Sequence, residues 1–179
     1  MARTAGFTLF ELLVAVAISG TLLALAVPAF EALALDARRT ADVNAFVLAV
    51  QVARSEAAKR ARPVVLCKTA DRLRCGGRAL EFEAGWMVFV NEDEITPPHR
   101  SPLEPLLYAH APELEGTIRG NRHFFEFRPF LRRSVNGTVT FCDRRGSAAA
   151  RAVIVSYTGR PRVDSVAPDG KPLFCAGLP

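Results

Sequence analysis

Near the C-terminus, the stretch YTGRPRVDS sets two guanidinium groups, Arg160 and Arg162, on either side of Pro161 and directly after Gly159. Proline fixes its own φ and restricts the residue before it, so both arginines leave a stiff turn, splayed outward. Phosphate binding asks for that arrangement, because rigidly held donors lose less entropy per contact. The ordinary alternative is a solvated turn in which Arg162 pairs with Asp164. Arg132, Arg133, Arg144, Arg145 and Arg151 would widen a basic face if the fold brings them together. No nucleophile elbow, zinc-protease helix, phosphate loop or dinucleotide fingerprint is present. The acids of NEDE, from Glu92 to Glu94, crowd together on a loop as solvated charges do. The pattern therefore points to binding without catalysis and implies no cofactor.

Four cysteines, Cys67, Cys75, Cys142 and Cys175, allow three pairings. Cys67 and Cys75 flank KTADRLR, a loop short enough to close locally, which leaves Cys142 and Cys175 to tie a late hairpin to the C-terminal tail. Zinc is the rival ligand. No C-x-x-C occurs, and His99, His110 and His123 sit in or near loops away from the cysteines, so two disulfides and no metal are expected.

A third chemical feature is Glu11, a carboxylate inside an apolar run. An acid at the centre of a membrane helix costs roughly 2.5–3.5 kcal/mol even on insertion scales, so it needs a partner. The 19 residues from Leu12 to Phe30 are interrupted only by Ser19, Gly20, Thr21 and Pro28. At roughly 1.5 Å per residue they span a bilayer core. Arg3 precedes the run while Glu31 and Asp36 follow it, which keeps the leader cytoplasmic and sends the rest across. A cleaved secretory signal is the competing reading, since LALAVPAF holds small-residue sites, but it leaves Glu11 unexplained. The 179-residue chain carries a net charge of +5, and all but three of its 23 basic residues are arginine. Arginine suits oxyanions, although a GC-rich genome produces the same bias.

After Phe30 the pattern stays helical. Val43, Phe46, Val47 and Val50 form one apolar stripe, which leaves Asp36, Arg39, Asp42, Arg54, Glu56 and Arg60 to the other faces. Lys59, Arg60 and Arg62 suit a helix C-terminus, and Pro63 stops it. Short strands follow: VVLCK, GWMVFV, HFFEFRPF, TVTFCD and RAVIVSY, the last two joined around Gly146. Trp86 is placed between strand and helix. The segment NEDEITPPHRSPLEPLLYAHAPELEG is rich in proline and acid, has no clear period, and reads as a long loop. The expected fold is α+β, a long N-terminal helix laid on an antiparallel sheet.

Gly6-Phe7 followed by TLFELLVAVAISG resembles the type IV prepilin signal. Together with VVLCK, GWMVFV and IVSYTGRPR, it makes the whole chain similar to the GspH/FimT family of minor pilins and pseudopilins. The resemblance implies a type IV pilin-like fold. It implies cleavage between Gly6 and Phe7 by a prepilin peptidase, with methylation of Phe7. It also implies that Glu11 pairs with the N-terminal amine of a neighbouring subunit, and that pilin helices kink near Pro28. The organisation expected is a leader over 1–6, a transmembrane and assembly helix over 7–30, an amphipathic continuation over 31–62 and a periplasmic β-rich domain over 63–179. The chain would be held in the inner membrane and, after assembly, stand in a pilus at the cell surface. In the transformation-linked branch a G-R-x-R element is associated with DNA binding, and Gly159, Arg160, Pro161 and Arg162 match it. The alternative within the same fold is a structural minor pseudopilin of a type II secretion system. Intact-mass measurement after co-expression with a prepilin peptidase should show loss of Met1–Gly6 and one added methyl. Cleavage after Ala24 or Ala26 would refute the pilin reading.

Overall fold

The structure is a computed structural model that describes Gly6, residues 8–129 and residues 136–175. Expectations placed on residues 1–5, Phe7, Arg132 and Arg133 lie outside the described residues. The chain forms two compact units, Met1–Ala37 and Arg38–Pro179. A single helix, α1 (Leu9–Arg60), runs through both, with Pro28 inside it.

In the first unit the helix is long and apolar enough to cross a membrane. Its large side chains, among them Leu9, Phe10, Leu13, Leu25 and Phe30, are exposed. A surface this apolar has no business in water, which suits a lipid or protein surround.

The second unit joins the rest of α1 to eight strands: β1 (Val64–Lys68), β2 (Trp86–Val90), β3 (Leu106–His110), β4 (Gly116–Gly120), β5 (Phe124–Phe127), β6 (Gly137–Asp143), β7 (Arg151–Val155) and β8 (Pro161–Asp164). They make two antiparallel four-stranded sheets, ordered β3-β2-β1-β5 and β4-β6-β7-β8, rather than the single sheet expected. Every residue of β1 and β2 is buried, so both faces of these central strands are covered. Their unbroken apolar runs follow from that, because only a half-exposed strand needs to alternate. One face carries Val64, Leu66, Trp86 and Val88 into the main core. The other packs Val65, Cys67, Met87 and Phe89 together with Cys75, Ala109 and Phe124. The disulfides Cys67–Cys75 and Cys142–Cys175 both form.

Phe46 of α1 lies where the two sheets meet the helix. Its ring makes edge contacts with Trp86, Phe125 and Phe141 from the strands and with Phe82 from a short 3-10 turn, at 5.4–6.0 Å between centroids. The proline-rich acidic segment is not loop throughout: Leu106–His110 pairs with β2 as an edge strand, and Gly116 opens β4. The half-buried positions of an edge strand give no sharp alternation, which hid it.

Two helix residues expected on solvent faces are buried, Arg39 at 5% and Asp42 at 1% exposure. Arg39 lies four before Val43 and Asp42 four before Phe46, so the core stripe itself continues through them. Each meets a partner. Asp42 accepts hydrogen bonds from the backbone N–H groups of Glu113 and Leu114 and contacts His110 Nε2 at 2.7 Å. His110 thus stands in a strand rather than a loop. Arg39 Nη1 reaches Asp143 Oδ2 at 3.3 Å, and Arg145 clasps the same buried carboxylate at 2.7 Å. Burial alone would raise the Asp143 pKa. The side-chain and backbone hydrogen bonds of Arg145, with the charges of Arg145 and Arg39, overcome this and hold it below the ordinary carboxylate value. The sign follows: a depressed folded pKa stabilises the fold above the unfolded value of about 3.9, and that stability is lost as pH falls through the folded value. Asp143→Ala removes the buried carboxylate that Arg39 and Arg145 share and should cost about 3–5 kcal/mol. The measurement is thermal unfolding of the full chain in nonionic detergent, read by its single tryptophan, from neutral pH to pH about 3. The wild-type advantage over the variant should shrink on acidification, and a constant gap would refute the assignment.

Candidate functional site

The arginine turn connects β7 to β8. Ser156 N–H donates to the Arg160 carbonyl at 3.0 Å, and Gly159 N–H donates to the Ser156 carbonyl at 2.8 Å. The Ser156 hydroxyl also accepts from Arg160 N–H at 3.2 Å. Gly159 has φ +71°, a left-handed conformation that a residue with a Cβ enters only at a cost. The chain leaves the turn already extended: Val155 pairs with Pro161, Ile154 with Arg162 and Ala152 with Asp164. Arg162 is therefore a strand residue, on the edge of its sheet.

Strand alternation sorts the side chains. Arg160, Arg162 and Asp164 fall on one side of β8, Pro161 and Val163 on the other. Pro161 lines a groove of about 310 Å³ against the helix residues Gln51, Arg54, Ser55 and Ala58. Arg54 is thus brought beside Pro161, on the side of β8 opposite Arg160 and Arg162, across about a hundred positions of sequence, and no reading of the turn alone would find it. The available signal was its place on α1 four residues after the buried Val50, at the margin of the core stripe.

Neither Arg54 nor Arg160 forms a side-chain ion pair or hydrogen bond with a described residue. Arg162 pairs with Asp164 at 3.2 Å, with the arginine side chain 59% exposed. Exposed pairs of this kind contribute about 0–1 kcal/mol, so an incoming phosphate competes with Asp164 at little cost. Asp164 has a second task as well, since its Oδ1 accepts from Ser165 and Val166 N–H and bends the chain after the strand.

The other arginines do not join the turn. Arg144 and Arg145 follow β6 and Arg151 begins β7, at the end of the sheet opposite Gly159. Arg145 is spent on buried Asp143, and Arg151 Nη1 donates to the Ala150 carbonyl at 2.8 Å. Arg132 and Arg133 lie outside the described residues. At the other end of the chain, Thr8 and Glu11 make a reciprocal cap at the start of α1. Glu11 N–H donates to Thr8 Oγ1 at 3.2 Å, while Glu11 Oε2 accepts from Thr8 N–H and Oγ1 at 2.9 Å each. The signal was T-x-x-E at a helix start. Gly6, immediately before Phe7 in the sequence, is exposed. Among the described residues no group of His, Cys, Asp or Glu could hold a metal ion.

A family model described as type II transport protein GspH matches residues 42–159, and a prokaryotic N-terminal methylation motif matches residues 1–27. The chain belongs to the GspH family. No curated relative matches the sequence. Among solved structures, the chain is similar to crystal structures of the type IV minor pilin FimU of Pseudomonas aeruginosa. One is 18% identical, covering 81% of this chain and 96% of that one, with a TM-score of 0.52. A second crystal form is 17% identical, covering 70% and 90%, with a TM-score of 0.48. At that identity the likeness establishes the fold: a pilin-type helix on antiparallel sheets. The GspH match stops at Gly159, one residue short of Arg160. The arginines therefore stand on this chain's own geometry. Replacing Gly159 with alanine should lower stability by about 1–2 kcal/mol through its positive φ. The check is thermal unfolding beside Thr158→Ala, which should change little.

Proposed function

We propose that this GspH-family protein is a minor pilin of a type IV pilus that takes hold of DNA outside the cell, without sequence preference, during natural transformation. The observation that carries the reading is the pair Arg160 and Arg162 on one side of an edge strand, with Arg54 of the helix across the groove that Pro161 lines on the other side. Two of these three guanidinium groups have no carboxylate partner among the described residues, and the third has a weak one. A rigid turn, a fixed proline and fork-shaped donors suit the regularly spaced oxyanions of a nucleic-acid backbone. The apolar first unit with its methylation motif supports anchoring in the inner membrane, the domain beyond lying in the periplasm and later on the pilus surface. In this reading prepilin peptidase cuts between Gly6 and Phe7. The Thr8 cap holds the Glu11 carboxylate beside the new N-terminus until assembly, when the amine of a neighbouring pilin takes it.

A second reading has one observation in its favour. The match to the type II transport protein ends before the arginines, as expected if a structural pseudopilin role needs only the helix and the sheets.

Titration of the full chain in nonionic detergent with labelled duplexes of unrelated sequence separates the two. Under the proposal, binding is in the roughly 1–100 µM range of non-specific contacts and indifferent to sequence, and each neutralised phosphate contributes about −0.9 to the log–log salt slope. Arg54→Ala, Arg160→Ala and Arg162→Ala should each weaken binding and reduce the slope by about one. Arg144→Ala, at the far end of the sheet, should change little. Equal losses at all four positions would mean that net charge alone is read. Absence of binding at low salt would leave the secretion scaffold as the better account.

A further inference from the structure

A second basic site lies on the other sheet, where nothing in the family or the arginine turn accounts for it. The loop closed by Cys67–Cys75 approaches the segment between β2 and β3. Between them is a half-open cavity of about 630 Å³ lined by Leu73, Arg74, His99, Arg100, Ser101 and Pro102. Among the described residues its lining holds two guanidinium groups, an imidazole and a hydroxyl, and no acid.

The missing negative charge is accounted for nearby. Asp71 accepts from the backbone N–H groups of Leu73 and Arg74 at 2.8 and 2.9 Å and from the Thr69 hydroxyl. Those backbone bonds, Arg74 first, hold its carboxyl below the ordinary value. Glu104 is buried, with Glu92 N–H and Ser101 N–H each at 2.7 Å. Both carboxylates are thus committed to shaping the two loops. Arg74 forms no side-chain ion pair or hydrogen bond with a described residue. Arg100 uses only Nε, donated to the Glu104 carbonyl at 3.1 Å, which aims the guanidinium and leaves its terminal nitrogens available.

We infer that this cavity binds a small organic oxyanion, a phosphate ester or a carboxylate, gripped between Arg74 and Arg100. The volume falls within the roughly 300–1,000 Å³ of small-molecule sites and far exceeds what one inorganic ion needs. Leu73, 57% exposed, and Pro102 give the carbon skeleton an apolar wall. Two forked donors on one anion give charge-assisted, directional contacts. A duplex backbone calls for a ridge or a long track, which a single half-open cavity does not supply.

Glucose 6-phosphate, glucuronate and glucose share a ring and differ in the anion, so they separate the sources. The full chain is kept in a polyoxyethylene detergent and followed by the arginine Nε–H resonances, with Arg74 and Arg100 assigned by substitution. Either anion, or both in competition, should move these two signals, and glucose should not. The anion that binds more tightly names the chemistry. Arg74→Glu should weaken binding about tenfold or more, with an unchanged unfolding temperature, because Arg74 holds no other group. Arg74→Lys should keep part of the affinity. Silence from both anions, an equal response to glucose, or full binding by Arg74→Glu would overturn the inference. So would a duplex that displaces the sugar anion and is weakened by Arg74→Glu as strongly as by Arg160→Ala, since the cavity would then belong to a nucleic-acid track. Failure of the DNA reading by itself leaves this site untouched.

Discussion

Everything in the second unit is organised around one aromatic side chain. Phe46 is fully buried, and its ring meets Trp86 and Phe125 of one sheet, Phe141 of the other, and Phe82 of the turn between β1 and β2. Edge-to-face contacts fix relative angles as well as distances, which a purely aliphatic contact does not. Once Phe46 is seated, the phase of α1 is set. Val43, Ala49, Val50, Ala53 and Ala57 follow it into the core, and Arg54 is turned toward β8. A slip of one residue along the helix would rotate the stripe by about 100° and scatter all of these contacts.

The same phase forces two charges inward, and the fold answers each with a specific partner. Asp42 is met by two backbone N–H groups and His110, Arg39 by Asp143. Charges buried this way add little net stability over a well-packed apolar pair, yet are costly to leave unmatched. They therefore discriminate between arrangements: the connection from β3 to β4 must pass over Asp42, and the end of β6 must lie at Arg39. By fixing the end of β6 they also fix β7, and through β7 the position of the Gly159 turn at the opposite end of the sheet.

The distribution of arginine partners separates structural cations from those available to a ligand. Arg39 and Arg145 are consumed by Asp143. Among the described residues Arg54, Arg74 and Arg160 have no carboxylate partner, and each borders a groove or a turn. On a rigid backbone support the loop needs no ordering when a ligand binds, so only the guanidinium side chain itself has to be fixed. Net charge says nothing of this, because a spent arginine and an available one count alike.

The local features were legible in the sequence. The apolar stretch from Leu12 to Phe30, the helix continuing to Arg60, the two central strands, the β6–β7 hairpin and the cysteine spacing are all patterns within a few residues of one another. Backbone geometry makes such patterns readable, since a helix repeats every 3.6 residues and a strand every two. The T-x-x-E cap was equally local. What only the tertiary structure decided is which distant residues meet. Arg144, Arg145 and Arg151 are close to Arg160 in sequence but lie at the far end of β7, because antiparallel strands carry neighbouring turns to opposite ends of a sheet. Arg54 is remote in sequence but adjacent to Pro161, because strand order brings the edge strand β8 against α1. The burial of Arg39 and Asp42 lay between these cases. Their spacing from Val43 and Phe46 marked them as core positions, but the partners that make burial tolerable, Asp143 and the β3–β4 connection, come from strands that periodicity cannot place.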